Sequence, residues 1–81
     1  MSNLAPVIRR FAAHEFVVRR LYAFDPEFRS LCEDYEIASR ALAQWQADEA
    51  KAGDYRRLIR ELEDEIAEFI GGQQRKAGER E

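Results

Sequence analysis

Two apolar ladders at helical spacing fix most of what this chain can become. One follows Asp25-Pro26-Glu27-Phe28 and runs through Leu31, Tyr35, Ala38, Leu42 and Trp45. The other follows Gly53 and runs through Tyr55, Ile59, Leu62, Ile66 and Phe69. Alternating steps of three and four residues place each ladder on one side of an α-helix. A helix with one apolar side must bury it against another element, so consecutive ladders predict two helices packed face to face. The expected fold is all-α: an antiparallel, coiled-coil-like helical hairpin with an additional amino-terminal helix, about three helices in all.

The boundaries follow from local signals. Asp25 reads as an N-cap with Pro26 at the first helical position, where its missing N–H costs nothing. Gly53 reads as the terminator of the long helix and Asp54 as the cap of the next. Helices are therefore expected at about 4–23, 26–52 and 54–70, in one helical domain spanning 1–72. Gly71-Gly72 should end the last helix, and residues 73–81, with no large apolar side chain, should form a disordered tail. A turn at Gly53 pairs Trp45 with Leu62, Leu42 with Ile66 and Ala38 with Phe69. It also sets Arg56, Arg57 and Arg60 across from Asp48 and Glu49, and the later acids across from Arg40.

The heptad phase does not stop at Pro26. Val17, Leu21, Phe24 and Phe28 continue the ladder upstream with the same steps. One kinked helix through Pro26 and two helices broken at Asp25 both satisfy this pattern. The upstream segment also carries a second apolar side, made of Leu4, Val7, Ile8, Phe11, Val18 and Tyr22. Pro6 fits its first turn, with Ser2 or Asn3 as cap. A helix apolar on two sides calls for two partners: the hairpin, and a second copy of the chain or another protein. Phe24 and Phe28 read as core, and Phe11, Phe16, Val17 and Leu21 as the candidate partner surface.

Charge is unevenly distributed. Of the 81 residues, 1–24 carry a net +3 and the remainder −6, giving −3 in total. Arg9, Arg10, Arg19 and Arg20 are thus candidate contacts for nucleic acid or an anionic surface. Their helical angles scatter, however, and the chain as a whole is acidic, so nucleic acid is the less favoured partner. A single cysteine, Cys32, excludes an internal disulfide and multi-cysteine metal sites. It adjoins Leu31 on the apolar side, where cysteine behaves as a small hydrophobe. His14, the sole histidine, has only Glu15 beside it in sequence, and adjacent helical residues do not face each other. Glu61, Glu65 and Glu68 lack the Glu-x-x-His pattern of helical-bundle metal sites. No catalytic residue, cofactor or metal ligand is therefore assigned. The beginning of the chain has neither a basic-then-apolar leader nor a membrane-length apolar run, so a cytoplasmic location is expected.

The run LYAFDPEFRSLCEDYEIASRAL, with DYRRLIRELEDEIAEFI after a short gap, resembles the YdcH-like family of small bacterial proteins. The likeness rests on Asp25-Pro26, Phe28, Leu31, Tyr35 and Leu62-Glu63-Asp64-Glu65-Ile66. It covers roughly residues 20–70. The upstream extension with Pro6 and Phe11, and the acidic rather than lysine-rich last helix, depart from it. The resemblance implies an α-helical hairpin and brings no functional residue with it. The expected function is that of a non-catalytic protein–protein interaction or self-associating module, a homodimer being one form. Binding of nucleic acid or an anionic surface through the basic helix is the alternative.

Overall fold

The computed structural model of the protein describes residues 4–79. Asp25 divides it. Its backbone is extended (φ −115°, ψ 107°), as the residue before a proline prefers, and Pro26 opens the next helix. The Asp25 carboxylate Oδ1 accepts from the N–H of Glu27 at 2.9 Å and of Phe28 at 3.1 Å, satisfying two donors that the first turn leaves free. On its other side, the Asp25 N–H donates to the Leu21 carbonyl at 2.8 Å and closes the preceding helix. The chain therefore breaks at Asp25 and does not bend through it. Arg29 secures the corner by donating from Nε to the Tyr22 carbonyl (3.1 Å) and from Nη2 to the Ala23 carbonyl (3.2 Å). Those carbonyls belong to the negative end of the helix, where a cation is favourable. The same guanidinium lies 5.7 Å from the Tyr22 ring centroid.

Four α-helices occur among the described residues: α1 (Ala5–Arg10), α2 (Glu15–Phe24), α3 (Pro26–Gln44) and α4 (Glu49–Glu79). The single amino-terminal helix expected over 4–23 is interrupted by a 3₁₀ turn at Ala12–His14. Phe11 (φ −119°, ψ 45°) and His14 (φ −121°, ψ 26°) flank it, both outside the helical basin. Ala12 and Ala13 are good helix formers, so propensity does not explain the break. Tertiary packing does: the turn re-aims α1 so that Val7 is fully buried and Arg10 reaches Glu63 on α4. Pro6 lies in the first turn of α1 as expected, whereas Ser2 and Asn3 lie outside the described residues.

The turn between α3 and α4 also differs from expectation. It comprises residues 45–48, not Gly53. The Asp48 carboxylate accepts from the Lys51 N–H at 3.1 Å, and Glu49 stands in the first turn, so Asp48-Glu49 starts α4. The Lys51 ammonium sits 3.7 Å from the Trp45 ring centroid and holds the turn from both ends. Gly53 is an interior residue of α4, without positive φ, and so are Gly71 and Gly72. A glycine inside a helix costs about 1 kcal/mol relative to alanine, which packing and neighbouring helix formers can absorb. The backbone is accordingly helical through Glu79, past the expected end at Ile70; Arg80 and Glu81 lie outside the described residues.

With the turn moved, the pairing changes. The Phe28 and Phe69 rings meet edge to face, with centroids 5.5 Å apart, and the Tyr35 hydroxyl donates to Glu63 at 2.7 Å. Phe69 thus sits ten positions earlier on α3 than the expected partner Ala38, about 15 Å along the axis. These two contacts run in opposite directions along α3 and α4. Charges did not set this register, because Arg57 pairs with Asp54 and Arg40 with Glu36, each within its own helix. The core gathers Val7, Val18, Leu21, Phe28, Cys32, Tyr35, Ala38, Leu62, Ile66 and Ile70. Burying Phe28 or Ile66 fully contributes about 1.5–3 kcal/mol each. Trp45, expected in the ladder, belongs to the turn and is exposed, and Phe24, expected in the core, is 81% exposed.

A Cβ built on Gly53 meets nothing within 4 Å. Gly53→Ala should therefore raise stability by about 0.5–1 kcal/mol, read as a higher urea midpoint. Were Gly53 a left-handed helix terminator, the same change would lower it. Asp25→Ala should cost about 1 kcal/mol in the same assay, through loss of the cap.

Candidate interaction surface

Because α2 advances about 100° per residue, its inner side holds Val18 and Leu21, both buried, and its outer side holds Phe16, Arg20 and Phe24. Phe16 is 76% and Phe24 81% exposed. Arg19 and Ala23 flank the Phe16 side of this stripe and are also exposed. Two phenyl rings left in water two turns apart, separated by a cation, form an apolar stripe that no element among the described residues covers. Isolated exposed apolar residues are ordinary; a repeat along one side of one helix is what marks a docking surface.

The structure redistributes the residues read as a partner surface. Of Phe11, Phe16, Val17 and Leu21, only Phe16 is exposed. Leu21 is a core residue, which corrects its placement on the surface, and Phe11 and Val17 are half-buried against the core. The interruption at Ala12–His14 allows this, because a helix in two pieces can bury sides that a straight one would present to opposite directions. Phe24 was the residue missed. Its ladder spacing suggested burial, but at the last position of α2, beside a broken corner, the ladder no longer points inward.

The four arginines are not brought together as a free cluster. Arg10 Nε lies 3.3 Å from Glu63 and over the Phe11 ring at 5.1 Å. Arg19 Nε pairs with Glu15 at 2.9 Å. Arg9 and Arg20 are exposed, and neither has an ion pair among the described residues.

Two groups in the core respond to their surroundings. Burial pushes the Cys32 thiol up to about 12, with the Glu33 charge adding to it. The thiol is thus kept protonated and inert at neutral pH. Burial likewise raises the Tyr35 phenol to about 12, helped by its hydrogen bond to Glu63 and that carboxylate's charge, against Arg10 and Arg9. Glu63 therefore ties Tyr35 of α3 and Arg10 of α1 to α4. His14 closes the 3₁₀ turn, its N–H donating to the Phe11 carbonyl at 2.9 Å. Among the described residues no group of three or more His, Cys, Asp or Glu could hold a metal ion, and no helix is long and apolar enough to cross a membrane.

A second surface lies between α3 and α4. An open groove of about 370 Å³ is rimmed by Glu27, Asp34, Glu65 and Glu68, with Leu31 and Phe69 half-buried in its floor. None of the four carboxylates has an ion pair among the described residues. No protein-family model, curated protein or solved structure matches the chain.

Because the folded state holds the Cys32 and Tyr35 protons more tightly than the unfolded chain, with ordinary values of 9.0 and 10.0, stability should be insensitive to these groups below about pH 9. It should fall as pH rises from 9 to 12. Urea midpoints across that range check this, and Tyr35→Phe should flatten the decline above pH 10.

Proposed function

We propose that this chain is a non-catalytic, helical protein-interaction module whose docking surface is the outer side of α2. The observation that carries this is the exposure of Phe16 and Phe24 on one stripe, while α2 buries its opposite side in the core. A monomer that needed α2 only for stability would gain nothing from two aromatics in water. Removing a phenyl ring from water contributes about 1.5–3 kcal/mol, so covering both rings supplies much of the free energy of a specific contact. In this reading α3 and α4 form a helical hairpin that serves as the rigid back, and the Asp25 corner fixes the angle at which α2 is presented. The YdcH-like resemblance is compatible with such a scaffold. A cytoplasmic location is part of the same proposal.

The alternative, contact with nucleic acid or an anionic surface through Arg9, Arg10, Arg19 and Arg20, loses support from geometry. Glu63 and Glu15 already partner two of the four. Clustered free cations are what a phosphate backbone requires.

Phe16→Ser with Phe24→Ser should leave the free energy of urea unfolding within about 0.5 kcal/mol of the wild type, since exposed positions are mutationally mild. The same pair should abolish partner capture when tagged wild-type and variant chains are compared in extract from the native host. Equal capture by both would overturn the assignment of the α2 surface.

A further inference from the structure

We propose that the acidic groove between α3 and α4 receives the α2 stripe of a second copy of this chain. This rests on α2 being a docking surface and adds what covers it. Three features of the molecule match the two surfaces to one another.

The first is charge. Glu27, Asp34, Glu65 and Glu68 rim the groove without ion pairs among the described residues, and Arg20 on the stripe is likewise without one. Among the described residues Arg19 is held only by Glu15, an exposed pair one turn away that a competing carboxylate can exchange. The second is apolar content. Leu31 and Phe69 in the groove floor are half-buried and accessible to the phenyl rings of Phe16 and Phe24. The third is length. At ~1.5 Å per residue, Phe16 and Phe24 are roughly 12 Å apart along α2, and Glu27 and Asp34 roughly 10 Å apart along α3. The stripe and the groove are therefore two turns long each.

The groove is lined by α3 and α4 and the stripe is wholly on α2, so the contact joins two different surfaces. A contact of two helical turns is smaller than a standard stable interface, and its ion pairs lie at the rim. Association is accordingly reversible, appears at high micromolar protein, and weakens as salt screens the charges.

Sedimentation of the full chain from low to high micromolar tests this. The wild type should rise above monomer mass with concentration and return toward monomer in molar salt. Arg19→Glu with Arg20→Glu, and separately Glu65→Arg with Glu68→Arg, should each remain monomeric, with helical content by circular dichroism unchanged. An equimolar mixture of these two variants should associate again, since each supplies the other's complement. A wild type that stays monomeric throughout overturns the inference, as does association that neither variant reduces, or a mixture that stays monomeric. Anionic vesicle binding by a strictly monomeric wild type also overturns it. If the wild type is monomeric while Phe16- and Phe24-dependent capture persists, the α2 surface stands and its occupant is a different protein.

Discussion

The geometry of the molecule hangs on one carboxylate. Asp25 ends α2 with its backbone and begins α3 with its side chain, within a single residue. Proline at the next position disfavours the helical basin for Asp25, and the capped donors make the alternative, extended conformation the stable one. Arg29, one turn into α3, then reaches back to the carbonyls that α2 leaves open. Each hydrogen bond alone is worth only about 1 kcal/mol. Together they convert a possible kink into a corner, and the corner decides that α2 folds back along α3 with Val18 and Leu21 inward and Phe16 outward.

That corner was half legible in the sequence. Asp-Pro-Glu announced a cap, while the unbroken heptad phase through Phe24 and Phe28 argued for continuity. Phase proved the weaker signal, because spacing records where side chains would fall on a straight helix and says nothing about whether the helix is straight. Phe24 shows the consequence: in phase with Phe28, it is nonetheless in water. The role of Arg29 could not be read at all, since its acceptors are backbone carbonyls, which carry no sequence identity.

The α3–α4 turn shows the same contest between two local signals. Gly53 and Asp54 offered a stop and a start, and so did Asp48 and Glu49 without a glycine. A glycine makes a left-handed terminus easy but does not require one, and its cost within a helix is small beside the burial of a core layer. Starting α4 at Glu49 lets Phe69 pack on Phe28 and Glu63 reach both Tyr35 and Arg10. The apolar ladder of α4 was legible and its partners were not, because a heptad pattern fixes which side of a helix is buried but leaves sliding along the axis to be settled by contacts distant in sequence. For the amino-terminal segment, the two apolar sides were legible. The way both found cover, except at Phe24, through a break at two alanines that favour helix, was not.

What remains unburied follows from the same packing. Among the described residues, ten core residues from four helices satisfy the inward sides, and the ion pairs are those within a helix or at the α1–α4 contact. Carboxylates at Glu27, Asp34, Glu65 and Glu68 then face one another across a groove with no cation between them among the described residues. Like charges so arranged repel, and no ion pair among the described residues compensates. On the opposite account stand two phenyl rings and Arg20 on α2, which repay burial only against a surface that is apolar in its floor and negative at its rim. A single molecule cannot bring its own α2 stripe to a groove lined by α3 and α4 alone while Val18 and Leu21 stay in the core. In the proposed contact two copies do so, the surplus on each meeting its complement on the other.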